Sequence, residues 1–272
     1  PKSVMGIGSE AFSGCTGLTA VEIPAGVSTL ETNTFLGCTG LTEVLLPANL
    51  EKIGDSVFEN CEGLQNVVLP QKLQSIGGAA FRDCEALREL NLPETLTTIG
   101  SEAFWGCKNL KEITLPGKLT QVSDGLFGAC EGLQQIHLPR NLQKIGSGAF
   151  YGCTALAEID IPENVTQIEE EAFYDCTALK RAALPGGLTV IGKSLFDGCS
   201  ALETLAIPEK VTTIEDRAFA GCKATFRLPM SLTEMGKYPL GFTASESDGN
   251  VTVFKMEDVT VIAPAASESI RY

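Results

Sequence analysis

Ten cysteines stand at Cys15, Cys38, Cys61, Cys84, Cys107, Cys130, Cys153, Cys176, Cys199 and Cys222, always 23 residues apart. Phenylalanine keeps the same interval three residues earlier, from Phe12 and Phe35 to Phe219, and proline keeps it from Pro24 to Pro208. Chance does not hold so many intervals equal without one insertion. A fixed period of roughly 20 to 30 residues marks a solenoid, in which each repeat is one coil that cannot bury its apolar side alone.

The residues within one period predict the path of a coil. Leu110, Ile113 and Leu115 have the spacing L-x-x-L-x-L, and their last three positions alternate inward, outward, inward as a short strand does. Pro116 ends that strand because it has no N–H to donate to a ladder. Leu119 and Val122 return to the interior. Phe104 and Cys107, three apart, predict one tight helical or 3-10 turn over Ser101 to Cys107 on the opposite side. Stacked coils would align Leu on Leu, Phe on Phe and Cys on Cys. Neighbouring strands would pair in parallel about 4.8 Å apart, giving a sheet roughly 45 Å wide.

The combined motif Ile-Gly-x-x-Ala-Phe-x-x-Cys-x-x-Leu-x-x-[Ile/Val/Leu]-x-[Ile/Leu]-Pro resembles the leucine-rich repeats of BspA-type bacterial surface proteins. The resemblance implies a leucine-rich-repeat solenoid, a right-handed coil with a parallel sheet on one face and short helical or 3-10 turns on the other. It covers residues 1 to 236, about ten repeats. The position of the asparagine ladder in commoner leucine-rich repeats holds Asn49, Asn141 and Asn164, but also Gly26, Lys72 and Thr95, so another source must satisfy the backbone there. The last repeat shortens between Cys222 and Pro229. Residues 237–272, with the β-rich runs Val251 to Phe254 and Val259 to Ile262, read as a C-terminal cap for an otherwise open solenoid end. The chain begins in phase with the repeat and without a comparable N-terminal cap, so it reads as truncated there.

Composition narrows the function. The formal charge of −14 over 272 residues repels nucleic acid and anionic membranes. No apolar run approaches the roughly 18 residues of a membrane helix, so no membrane insertion is expected. Catalysis needs an acid, base or nucleophile held in a water-excluding pocket. His137 is the only histidine, flanked by Ile136 and Leu138 and pointing outward, and it has no triad partner. Gly146-Ser147-Gly148 belongs to the repeat turn and lacks the setting of a nucleotide loop. The cysteines form a row, whereas a zinc site needs four ligands converging. Carboxylates on adjacent coils could share a calcium ion, although no calcium-loop motif supports this. No enzyme, cofactor or metal is therefore expected.

Two columns of outward strand positions vary while the inward positions do not. One holds Ala20, Glu43, Asn66, Glu89, Glu112, Gln135, Glu158, Arg181 and Thr204; the other holds Glu22, Leu45, Val68, Asn91, Thr114, His137, Asp160, Ala183 and Ala206. Within them Glu43, Leu45, Val68, Glu89, Glu112, His137, Glu158, Asp160 and Arg181 form the candidate ligand face, with an acidic centre beside a small apolar patch. A merely solvated face is the plain alternative. Trp105, Tyr151 and Tyr174 follow the ladder phenylalanine and should lie on the turn side, either covering neighbours or offering rings to a sugar or protein partner. Asn164 and Asn250 open Asn-x-Thr sequences, acceptors for glycosylation in a eukaryote. The resemblance implies a secreted or cell-surface, monomeric adhesion module whose partner is a protein, such as a host extracellular-matrix protein, or a glycan. The alternative is a spacer holding another domain away from the cell wall.

Parallel Cβ vectors of stacked cysteines stay about 4.8 Å apart, too far for the roughly 3.8 Å of a disulfide. Thiol titration of the denatured, unreduced protein is expected to find about ten free thiols; five bridges would contradict a stacked cysteine column.

Overall fold

The computed structural model describes residues 3–239 and 260–262, and it is a parallel β-solenoid. One column of strands runs from Ala20–Glu22 through Glu43–Leu45, Asn66–Val67, Glu112–Thr114, Gln135–His137, Glu158–Asp160, Arg181–Ala183 and Thr204–Ala206 to Thr225–Arg227. Every pairing is parallel, and the register steps by one repeat: Ala20 lies opposite Glu43 and Glu22 opposite Leu45. Thr225–Arg227 sits two residues early, opposite Thr204–Ala206, because its coil is short. Thr260–Ile262 pairs with it in parallel. The remainder of the expected cap, including Val251 to Phe254, lies outside the described residues.

A second strand follows each proline. The Pro24 carbonyl accepts the Val27 N–H at 3.0 Å, and the Pro116 carbonyl accepts that of Leu119 at 3.1 Å. The chain turns there and enters a two-residue strand such as Gln121–Val122 or Lys144–Ile145. These pair coil to coil from Thr29–Leu30 to Glu234–Met235. Elements of two residues show no alternation, so the sequence pattern did not disclose them. At the asparagine-ladder position Asn49, Thr95 and Asn164 donate to carbonyls of the preceding coil.

The expected continuous sheet is divided. In the first column pairing stops between the coils of Glu89 and Glu112–Thr114, and again between Gln135–His137 and Glu158–Asp160. The second column stops between Thr98–Ile99 and Gln121–Val122, and between Gln167–Ile168 and Val190–Ile191. Strands this short hold one another by very few hydrogen bonds, so a small change of angle between coils ends the pairing.

The expected helical or 3-10 turn is also absent. Among the described residues there is no helix, hence none long and apolar enough to cross a membrane. The reason lies in the backbone. In each of the ten repeats the residues two before and two after the ladder phenylalanine have positive φ, as at Asn33 (59°) and Gly37 (69°) around Phe35. A helix cannot propagate through left-handed residues four apart. N–H groups therefore alternate in direction. Those of Asn33, Phe35 and Gly37 donate to carbonyls of Asp55, Val57 and Glu59 in the next coil, while those of Leu36 and Cys38 donate three residues back, to Asn33 and Phe35. The turn side is thus a third inter-coil ladder.

The interior follows the sequence. Phenylalanine rings from Phe12 to Phe219 stack coil on coil at 5.2 to 5.8 Å between centroids. Phe226, from the shortened coil, closes the column, tilted against Phe219 at 4.6 Å. All ten cysteines are unbridged, and all but Cys15 are buried. Each buried thiol donates to the carbonyl of the phenylalanine 26 positions earlier at 3.1 to 3.3 Å.

Burial pushes the thiols of Cys61 and Cys130 up from 9.0 to about 12, and drives Cys84, Cys107 and Cys153 well above the ordinary value. Between pH 9 and 12 the unfolded chain loses these protons and the folded chain keeps them, so stability falls as pH rises. Each such thiol contributes up to about 1.4 kcal/mol of loss per pH unit. Urea midpoints are expected to drop steeply between pH 9 and 11, and Cys130→Ala should flatten that slope by about one proton. A midpoint that is constant with pH would contradict buried, protonated thiols.

Candidate binding face

The first strand column carries the outward side chains because two-residue alternation turns Val44, Ile113, Ile136 and Ile159 into the core. Glu43, Leu45, Val68, Glu89, Glu112, His137, Glu158, Asp160 and Arg181 are all exposed. Register brings them side by side: Glu112 opposite Gln135, His137 opposite Thr114, Glu158 opposite Arg181 and Asp160 opposite Ala183.

The face is less uniformly acidic than its carboxylates suggest. The Arg181 guanidinium donates to Glu158 at 2.9 Å, and His137 Nε2 lies 3.3 Å from Glu112 Oε1. Exposed pairs like these are worth at most about 1 kcal/mol, yet the Arg181 guanidinium neutralises the Glu158 carboxylate locally. Among the described residues Glu43, Glu89 and Asp160 make no ion pair, and no three His, Cys, Asp or Glu gather as a metal site would require.

Leu45 and Val68 are 53% and 82% exposed. The strand Asn66–Val67 ends one residue before Val68, which leaves the ladder and opens a hollow of about 670 Å3 lined by Glu43, Leu45, Leu46, Asn66, Val68 and Pro70, among others. A second hollow, about 490 Å3, lies where the sheet parts, between Glu89–Leu92 of one coil and Glu112–Thr114 of the next.

The turn side holds a feature the sequence only half disclosed. Trp105 stacks on Tyr151 at 5.9 Å although a whole coil lies between them, and Tyr151 stacks on Tyr174 at 4.9 Å. The intervening coil has Gly128 at this position, where a Cβ would sit 2.0 Å from Trp105 Cε3. The indole occupies the space that glycine leaves. Arg82 lies over Trp105, 5.8 Å from its ring centroid, and also pairs with Glu102. Beyond Tyr174, Asp197 is buried and receives the Arg217 Nε–H at 2.8 Å. Both faces of Tyr151 are thus covered, by Trp105 and Tyr174, and the Trp105 ring carries Arg82 as well. The sequence signal was Gly128, set between the large side chains of Trp105 and Tyr151 at the same repeat position.

A family model described as a BspA type leucine rich repeat region matches residues 5–134 and 122–243 in six copies. No curated protein matches the chain. Among solved structures it is similar to a leucine rich repeat protein of T. pallidum, with 36% identity over 54% of this chain and 69% of that one and a TM-score of 0.52. A leucine rich cell surface protein of Faecalibacterium prausnitzii is 24% identical, covering 86% of this chain and 88% of that one, with a TM-score of 0.53. A leucine-rich repeat protein of Eubacterium ventriosum is 22% identical over 90% and 82%, with a TM-score of 0.56. The last two likenesses are of fold.

Gly128→Ala is expected to force Trp105 off Tyr151 and to cost about 1 to 3 kcal/mol, as overpacking does. Trp105 is the only tryptophan, so a red shift of its emission, together with a lowered denaturation midpoint, reads both effects. Unchanged emission and stability would remove the assigned role of the glycine gap.

Proposed function

Since the chain belongs to the BspA-type leucine-rich-repeat family, we propose that it is a protein-binding module of a secreted or cell-surface protein, acting in adhesion through the open face of its first strand column. The observation that carries this reading is the contrast between the two sides of that column. Inward positions repeat coil after coil under the demands of stacking, whereas outward positions vary in size and charge along the solenoid and stay exposed. A rigid solenoid surface of this kind suits distributed contact, with many modest polar and charged contacts spread over several coils. The cell-surface placement rests on the resemblance to BspA-type surface proteins. Host extracellular-matrix protein is the proposed partner class; a spacer role is the competing reading.

The test is an immobilised panel of host matrix proteins and glycans probed with the 272-residue chain at physiological salt. At least one matrix protein is expected to retain it, and the triple reversal Glu89→Lys, Glu112→Lys, Glu158→Lys should weaken that binding tenfold or more, about 1.4 kcal/mol. Silence across the panel sinks the adhesion reading, and retention that is indifferent to the reversal moves the contact off this face.

A further inference from the structure

We infer that the hollow over Leu45 and Val68 is a pocket for one apolar side chain of an extended, basic segment of the partner protein. This deepens the protein-binding reading and rests on it. Two adjoining hollows share Leu45, Leu46 and Ala48, one opening toward Val68 and Pro70, the other toward Glu22 and Pro47. Together they make a groove across the first three coils. Its floor is apolar where the rest of the candidate face is polar, and Leu45 and Val68 are the large apolar side chains exposed on that face. Single exposed apolar residues need no explanation, but two lining one groove mark a contact.

Charge decides what fits. Glu22 and Glu43 rim the groove and make no ion pair among the described residues. Lys72 stands alone on the side of the proline turn. Beyond the third coil the same face continues with Glu89. In a chain of charge −14, an acidic segment or an anionic lipid surface is repelled, while Lys or Arg on either side of an apolar residue meets carboxylates. The outward side of the second strand column mixes Thr29, Ser75, Thr98, Gln121, Gln167 and Thr213 with Lys52, Lys144 and Glu234, and so carries no comparable acidic row.

The probe is a fluorescent peptide, acetyl-Gly-Lys-Arg-Leu-Val-Lys-Gly-amide, with one control in which its cations are replaced by Glu and another in which Leu and Val are replaced by Ser. Anisotropy should show the parent peptide binding at least tenfold more tightly than either control, with affinity falling as salt rises. Leu45→Asp with Val68→Asp should abolish binding, and Glu22→Lys with Glu43→Lys should reduce it at least tenfold. All four residues lie on the surface, and unchanged melting curves confirm that the variants fold. Equal binding of the acidic control, or wild-type affinity in the groove variants, overturns the proposal. Matrix-protein binding that survives the groove variants but is lost with Glu89, Glu112 and Glu158 reversed overturns the pocket and leaves the binding module standing. A silent panel overturns the module.

Discussion

The carbonyl of every ladder phenylalanine from Phe12 to Phe196 accepts two donors, the N–H of the cysteine three residues on and the thiol of the cysteine in the next coil. That second bond spans 26 positions and is made only if the coil between has 23 residues. A one-residue insertion would carry the thiol away from its acceptor, lift the phenylalanine off its stack and shift every strand register together. The period is therefore a structural requirement. Where the chain does shorten, between Cys222 and Pro229, the deletion lies after the cysteine, and Phe226 fills the end of the aromatic column.

Three inter-coil ladders surround this interior, and they are not equally continuous. Where the coil of Glu89 meets that of Glu112–Thr114, both strand columns are interrupted. The turn ladder holds there, from the Phe104 N–H to the Leu126 carbonyl at 3.1 Å, as does the stack of Phe104 on Phe127 at 5.6 Å. Trp105 reaches across the same junction to Tyr151. The solenoid is thus closed on its turn side and parted on its sheet sides at one level, which places a hollow in the candidate face next to Glu89 and Glu112.

Much of the candidate face was legible beforehand, since alternation about Val44 or Ile113 dictates which neighbours point out. Its electrostatics were not: Arg181 sits one coil from Glu158 and His137 one coil from Glu112, and only the register shows that they meet. The turn was misread because Phe and Cys three apart also fit a helical face. A usable signal stood one residue before nine of the ten cysteines, where Gly14, Gly37, Asn60, Asp83, Gly106, Gly152, Asp175, Gly198 and Gly221 are the residue types that best tolerate positive φ; Ala129 is the exception.

By itself the sequence determined that the chain coils every 23 residues, which side chains fill the coil, that the cysteines stay unbridged and which strand positions face out, because each follows from a period and an alternation that are local properties of the chain. Tertiary structure decided the form of the turn, the second strand column, the interruptions of the sheets and the stacking of Trp105 over Gly128. Those depend on the angle and distance at which one coil lies on the next, and contacts between residues a coil or two apart settle that geometry only once the whole stack is formed.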